Sequence, residues 1–177
     1  MEFKKLKNSS HALKQRSINI NMASTLRNLS TYNPNDIQNA EDKIFGIVVS
    51  EWNSEITNAL LDGALEALEK ANVKPQNVHI KYVPGSFELP FGAQKLIDSV
   101  KPHAVISLGC VIQGETRHFD FICQAVADGI MNLGLRHRIP VVFGVLTTND
   151  LAQAQDRSGG KHGNKGFEAG ITALKLI

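Results

Sequence analysis

The sequence predicts a small doubly wound α/β domain, and three observations predict it. From residue 43 onward, short apolar runs rich in Val and Ile alternate with longer stretches of helical period. The apolar runs are nearly continuous rather than alternating with polar residues, as buried parallel strands require. Each pair of runs is separated by enough chain for a helical crossover, and such βαβ units are right-handed and cover both faces of the sheet. The expected architecture is a three-layer α/β/α sandwich around a four-stranded parallel sheet.

Taken in order, residues 44–50 (IFGIVVS) read as the first buried strand. Ile56, Ala59, Leu60, Ala64, Ala67, Leu68 and Ala71 then recur at steps of three and four, which places one apolar stripe on a helix over about 55–72. The run Val73-Lys74-Pro75 ends that helix, and Val78–Val83 is the second strand. A helix near 88–100 follows and is closed by Pro102. The third strand is 104–112, almost wholly apolar, and a long helix over 119–137 carries Phe121, Ile122, Val126, Ile130, Met131 and Leu135. The fourth strand is 140–146, and short helices near 149–157 and 165–176 finish the chain around a glycine-rich turn.

Composition divides the 177 residues at one point. Residues 1–40 hold six Lys/Arg against two Asp/Glu, whereas 41–177 hold thirteen against fifteen, so the basic balance belongs to the arm. All 14 glycines lie at Gly46 or later. The domains read as an N-terminal arm over 1–42, partly disordered, and one folded body over 43–177. A body of that size buries roughly two thirds of its unfolded surface around one core. Its weakly acidic balance argues against nucleic acid as a partner. No apolar stretch approaches the ~18 residues of a membrane span, and the first 21 residues lack the apolar run of a secretory signal. They are basic and acid-poor, so an organellar transit peptide, a disordered leader and a translation start at Met22 all stay open. Two cysteines, Cys110 and Cys123, make no disulfide framework, and a reducing compartment, the cytoplasm, is expected.

Every unusual short sequence sits at the carboxyl end of a strand, where ligands of open α/β sheets bind. The first strand ends in Ser50-Glu51-Trp52-Asn53, the second in Pro84-Gly85-Ser86-Phe87-Glu88, the third in Gln113-Gly114-Glu115-Thr116-Arg117-His118 and the fourth in Thr147-Thr148. The 113–118 loop lies before a long helix, where free N–H groups attract phosphate or carboxylate, although a plain strand-to-helix turn has the same composition. His118 opens that helix. The positive end of the dipole and Arg117 favour a neutral imidazole able to accept a proton; a local capping role is the alternative. Trp52 either stacks on a flat heterocycle or packs on the adjoining helix. Glu88 either accepts N–H donors from a ligand or starts the next helix, and Phe143 is either a core residue or a ring contact. Arg157, beside a polar glycine-rich segment, either grips a phosphate or ends a solvated helix. The other five histidines have no metal-ligand spacing and the cysteines form no CxxC, so no metal is expected. No GxGxxG follows the first strand and GxxxxGK[ST] is absent, which weighs against dinucleotide binding and P-loop hydrolysis. The residues by themselves suggest a site for a phosphorylated small molecule and a planar ring, with one acid/base histidine.

The runs IVVSEWNSEIT, VPGSFELP, GCVIQGETRHFD, PVVFGVLTTND and QDRSGGKHGNKGFEA, in this order, closely resemble the lumazine synthase family of riboflavin biosynthesis over about residues 43–176. That resemblance implies a flavodoxin-like four-stranded parallel sheet and no cofactor. It implies condensation of 5-amino-6-(D-ribitylamino)uracil with 3,4-dihydroxy-2-butanone 4-phosphate, as a transferase. It also implies pentamers with sites between neighbouring subunits. By motif, Trp52 resembles the aromatic that stacks on the uracil ring. Ser86, Phe87 and Glu88 resemble the segment that binds ring and ribityl chain, with Cys110, Val111 and Ile112 as its backbone partners. Glu115 and Thr116 match the phosphate-binding pair, Arg157 the arginine completing that pocket from the adjacent subunit, His118 the general acid/base and Phe143 the second ring-contacting aromatic. Lys165 is a weaker candidate near the phosphate.

Some positions depart from the commoner family pattern. Gln113 stands where many relatives carry Arg or Lys, with Arg117 beside it as compensation. Trp52 replaces the more frequent Phe, which brings in a tight riboflavin-binding role. Residues 39–43 suit an added edge strand against a neighbouring subunit. The compact 159–166 turn resembles members that close into sixty-subunit shells, with riboflavin synthase as an enclosed partner. The competing readings are a riboflavin- or FMN-binding module of the same fold, and a shell-forming protein, each without turnover.

Overall fold

The computed structural model describes residues 39–177. The arm from 1 to 38, with Met22 and the readings attached to it, lies outside the described residues. The elements run β1 (Phe45–Ser50), α1 (Ser54–Lys70), β2 (Val78–Val83), α2 (Leu89–Val100), β3 (Ala104–Ile112), α3 (His118–His137), β4 (Val141–Thr148), α4 (Leu151–Arg157), β5 (Ser158–Gly160), β6 (Gly163–Asn164) and α5 (Lys165–Lys175). The four long strands form one all-parallel sheet in the order β2-β1-β3-β4. The predicted three-layer fold is therefore the one observed.

Alternation along the strands divides the core between the two faces. Phe45, Ile47 and Val49 of β1 and Ile106 and Leu108 of β3 pack with Leu60, Leu68, Phe167 and Ile171 of α1 and α5. Val48 and Val105 face the other way, onto Leu89, Ala93 and Leu96 of α2 and Val126 and Ile130 of α3. On the first face α1 and α5 lie unusually close. A Cβ on Gly166 would overlap the backbone of Leu60, so only glycine permits this approach. Asn164 locks the same junction: its Nδ2 donates to the Ala59 carbonyl at 2.7 Å, and its Oδ1 accepts from the N–H groups of Gly166 and Phe167 as the cap of α5.

Two details differ from the sequence reading. Thr147 and Thr148 are the last residues of β4 rather than a loop beyond it, because β3 extends to Ile112 and pairs with them. The glycine-rich turn contains a two-stranded antiparallel ribbon, β5 with β6, made possible by positive φ at Gly159 and Gly163. The apolar positions of α3 form two faces: Val126, Ile130 and Leu133 are buried, while Phe121, Met131 and Leu135 stand exposed. Residues 39–43 are not a strand within the single chain. Ala40 is buried, its N–H donates to the Ala71 carbonyl at 2.9 Å, and Glu41 and Asp42 pair with Lys74 at 3.0 and 3.6 Å.

Candidate active site

The order of the sheet decides where a cleft can form. Chain connections leave β1 in one direction toward β2 and return on its other side as β3, so the loops above β1 and β3 part and open a crevice. A cavity of about 780 Å3 lies there. It is lined by Trp52 and Asn53 after β1, the 84–88 turn after β2, Cys110, Val111 and Ile112 at the end of β3, and His118 and Ile122 of α3.

The first wall is shaped by one residue in an uncommon conformation. Asn53 adopts φ 60 and ψ 46, the left-handed region that Asn tolerates better than most side chains. Its Nδ2 donates to the Cys110 carbonyl at 3.0 Å, bridging β1 and β3. The sharp turn this makes leaves Trp52 73% exposed on the rim of the cleft instead of packed on α1. The Trp52 N–H donates to the Pro84 carbonyl at 3.1 Å, and the Glu51 N–H to that of Val83 at 2.8 Å, so the loops after β1 and β2 are joined as well. Sequence reasoning did not single out Asn53 as functional. The signal was present, a polar residue of αL tolerance between a buried strand and a helix start.

The second wall is the 84–88 turn. Glu88 stands at the start of α2, as one of its two readings had it; its Oε2 accepts from the Gly85 N–H at 3.0 Å, closing the turn, and the residue also lines the cleft. Phe87 is exposed beside it. Ser86 is buried, and its hydroxyl is shut off from the cleft. The turn therefore offers a ligand the backbone of Ser86 rather than its side chain. Cys110 is similar. Its thiol is in the core on the α1 side and only the main chain is presented, as burial that raises the thiol pKa from the ordinary 9.0 to about 11 reflects.

His118 is the first residue of α3 and is exposed at the mouth of the cleft. Its N–H donates to the Thr116 hydroxyl at 3.4 Å, two residues back in the loop before the helix. Glu115, Thr116 and Arg117 are exposed in the preceding loop, with the Arg117 side chain turned toward Asp120 at 3.5 Å. The remaining expected residues fall elsewhere. Phe143 (42% exposed), Arg157 and Lys165 line a second groove of about 980 Å3 between α3, β4 and α5. Arg157 Nη1 donates to the Gln153 carbonyl at 3.0 Å, and Lys165 Nζ is held by both Glu168 oxygens at 2.7 and 2.9 Å. Among the described residues no group of three or more His, Cys, Asp or Glu side chains is placed to hold a metal ion.

The family model for 6,7-dimethyl-8-ribityllumazine synthase matches residues 42–177, the whole body that carries both grooves. The chain belongs to the 6,7-dimethyl-8-ribityllumazine synthase family. Relatives carrying that enzyme's name agree along most of their length. One from Cytophaga hutchinsonii is 56% identical over 156 residues, covering 88% of this chain and 98% of the relative. Another from Parabacteroides distasonis is 51% identical over the same shares of both chains. A third from Flavobacterium johnsoniae is 54% identical over 155 residues, 88% of this chain and 82% of the relative.

Proposed function

We propose that this chain is a transferase of riboflavin biosynthesis. It condenses 5-amino-6-(D-ribitylamino)uracil with 3,4-dihydroxy-2-butanone 4-phosphate to give 6,7-dimethyl-8-ribityllumazine, phosphate and water. Membership of the family supports the reaction. The single structural observation that carries it is the convergence of Trp52, the 84–88 turn, the end of β3 and His118 on one cleft. A turnover-free binding or shell role is not favoured.

In this reading the uracil ring stacks on Trp52, a flat partner of matching shape. The backbone of Ser86, Phe87 and the β3 residues Cys110 to Ile112, together with the Glu88 carboxylate, holds the ring and ribityl chain. The 5-amine of the uracil attacks the ketone and expels water to give a Schiff base, a proton is removed and phosphate leaves, and the ribitylamino nitrogen then closes the ring with loss of a second water. His118 at the cleft mouth moves the protons, a contribution of about 10²-fold or more. Holding two substrates in register supplies the rest of the protein's effect.

The phosphate pocket takes Glu115 and Thr116 from one subunit and Arg157 from its neighbour, with Lys165 as a weaker contributor. Phe143 of the neighbour closes over the ring. Two observations support a shared site: Phe143 and Arg157 line a groove separate from the His118 cleft, and that groove is flanked by the exposed Met131 and Leu135 of α3. Exposed apolar side chains clustered beside a groove mark an interface. We therefore read the assembly as a homopentamer, and the compact 159–166 turn as compatible with sixty-subunit shells that would enclose riboflavin synthase. Two free cysteines, Cys110 and Cys123, favour the cytoplasm. Among the described residues no helix is long and apolar enough to cross a membrane.

Mixing the purified protein with both substrates tests the reaction. Lumazine fluorescence is expected to appear; folded, oligomeric protein that yields none refutes the proposal. The native mass of the assembly decides between pentamer and shell.

A further inference from the structure

Beneath the 84–88 turn the sheet carries an unusual polar patch. Ser50 and Ser107 are 0% exposed and Ser86 is 7% exposed. Their hydroxyl oxygens are the buried side-chain polar atoms, among the described residues, that have no hydrogen-bond partner within the protein. Buried hydroxyls are almost always satisfied, so three exceptions call for a common cause.

Strand register puts them together. Val48 of β1 lies opposite Ser107 of β3 and Val49 opposite Leu108, so Ser50 comes level with Gly109. Paired residues on parallel strands point to the same side, as do alternate residues along one strand. Ser50, Ser107 and Gly109 thus share the side on which Val48 and Val105 meet α2 and α3. Ser86 comes down onto the same spot from above. A Cβ on Gly109 would stand 2.7 Å from Ser86 Oγ and 2.8 Å from Leu89 Cδ1, so the bare glycine is what lets the turn settle there.

Aliphatic side chains would fill this layer without leaving polar atoms unpaired, as they do at Val48 and Val105. Hydroxyls instead each offer a donor and two acceptor lone pairs. An internal water makes about three hydrogen bonds to buried polar groups. We propose that Ser50, Ser86 and Ser107 form a hydration site that seats an internal water between the sheet and the 84–88 turn. The seat fixes the height of the turn, and so positions the backbone that receives the pyrimidine. Ser50 and Ser107 are positioning residues; neither lies on the substrate side of the turn. This assignment rests on the proposed function for the meaning of the turn, but not for the existence of the seat.

Crystal structures of the full-length protein and of Ser50→Ala and Ser107→Ala, with steady-state kinetics of all three, test it. Wild-type density is expected to hold a water within hydrogen-bond distance of at least two of the three hydroxyls. Each alanine variant is expected to lose that water and to raise KM for the ribitylaminouracil about five-fold, with kcat and KM for the phosphate substrate within about two-fold. The double variant is expected to be little worse than either single one, since both break the same seat. A dry layer in the wild-type density overturns the proposal, even where a variant fails to fold. So does an unchanged pyrimidine KM in both variants. If wild-type protein makes no lumazine, the functional reading fails separately, and the wild-type density still decides the seat.

Discussion

Asn53 and Cys110 are joined across the carboxyl end of the sheet: the Asn53 amide donates to the Cys110 carbonyl at 3.0 Å from a left-handed backbone conformation. One residue thereby turns the chain out of β1, exposes Trp52 on the cleft rim and ties β1 to β3. Cross-links from Glu51 and Trp52 to the end of β2 complete the frame, so the loops after β1, β2 and β3 are tied together around the cleft.

Replacing Asn53 separates these two effects. Asn53→Gly keeps the left-handed conformation and loses the amide bond, whereas Asn53→Ala also pays the steric cost of a Cβ at positive φ, about 1–2 kcal/mol. Thermal or urea unfolding is expected to rank wild type above the glycine variant and the glycine variant above alanine. Equal stabilities for the two variants would show that φ 60 carries no strain.

His118 lines the cleft only at its mouth, away from Trp52 and the 84–88 turn that hold the ring in the proposed reading, so its removal should leave ring binding largely intact. His118→Ala is expected to lower kcat about 10²-fold with KM for the uracil substrate little changed, followed by lumazine absorbance or fluorescence. Turnover equal to wild type would remove His118 from the mechanism.

Arg157 and His118 lie in different grooves of one chain, which makes a shared site testable by mixing. Arg157→Ala is expected to raise KM mainly for the phosphate substrate. When Arg157→Ala and His118→Ala chains are unfolded together and reassembled, some interfaces combine an intact His118 with an intact Arg157. Activity above that of either variant reassembled alone is the expected result, and its absence argues that both groups serve sites within one chain.

The Cys110 thiol, raised by burial from 9.0 to about 11, sets a pH dependence. Below about pH 9 it is protonated in both states and its preference for the fold is fully present. Above that the unfolded chain ionises first and binds fewer protons than the native one, so stability falls as pH climbs from 9 toward 11. Urea midpoints across that window should drop less in Cys110→Ala than in wild type. Slow alkylation of Cys110 in the native protein at neutral pH is expected for the same reason.

The strands and helices were legible because a parallel sheet covered on both faces imposes continuous apolar runs, and α1 imposes a 3.6 period. The residues at the strand ends stood out as loop chemistry between buried elements. Less legible was what each side chain does there. Alternation places Cys110 and Val111 on opposite faces, but the cleft opens above the strand end, so it takes the backbone of Cys110 and leaves its thiol in the core. Ser86 reads as a polar site residue, yet its hydroxyl points down onto Gly109. In α3 the apolar residues outnumber what one face can bury, and periodicity alone did not separate Val126 and Ile130 from the exposed Met131 and Leu135.

The sequence by itself determined the α/β order, the identity of the residues beyond each strand and the family they resemble, because these depend on local composition and spacing. Tertiary structure alone decided which of those residues meet. Strand order β2-β1-β3-β4 opens the cleft over β1 and β3 and leaves β4 at an edge. Phe143, Arg157 and Lys165 consequently line a second groove, away from His118, and no periodicity in the chain encodes that separation. It follows from the non-local pairing of β3 with both β1 and β4.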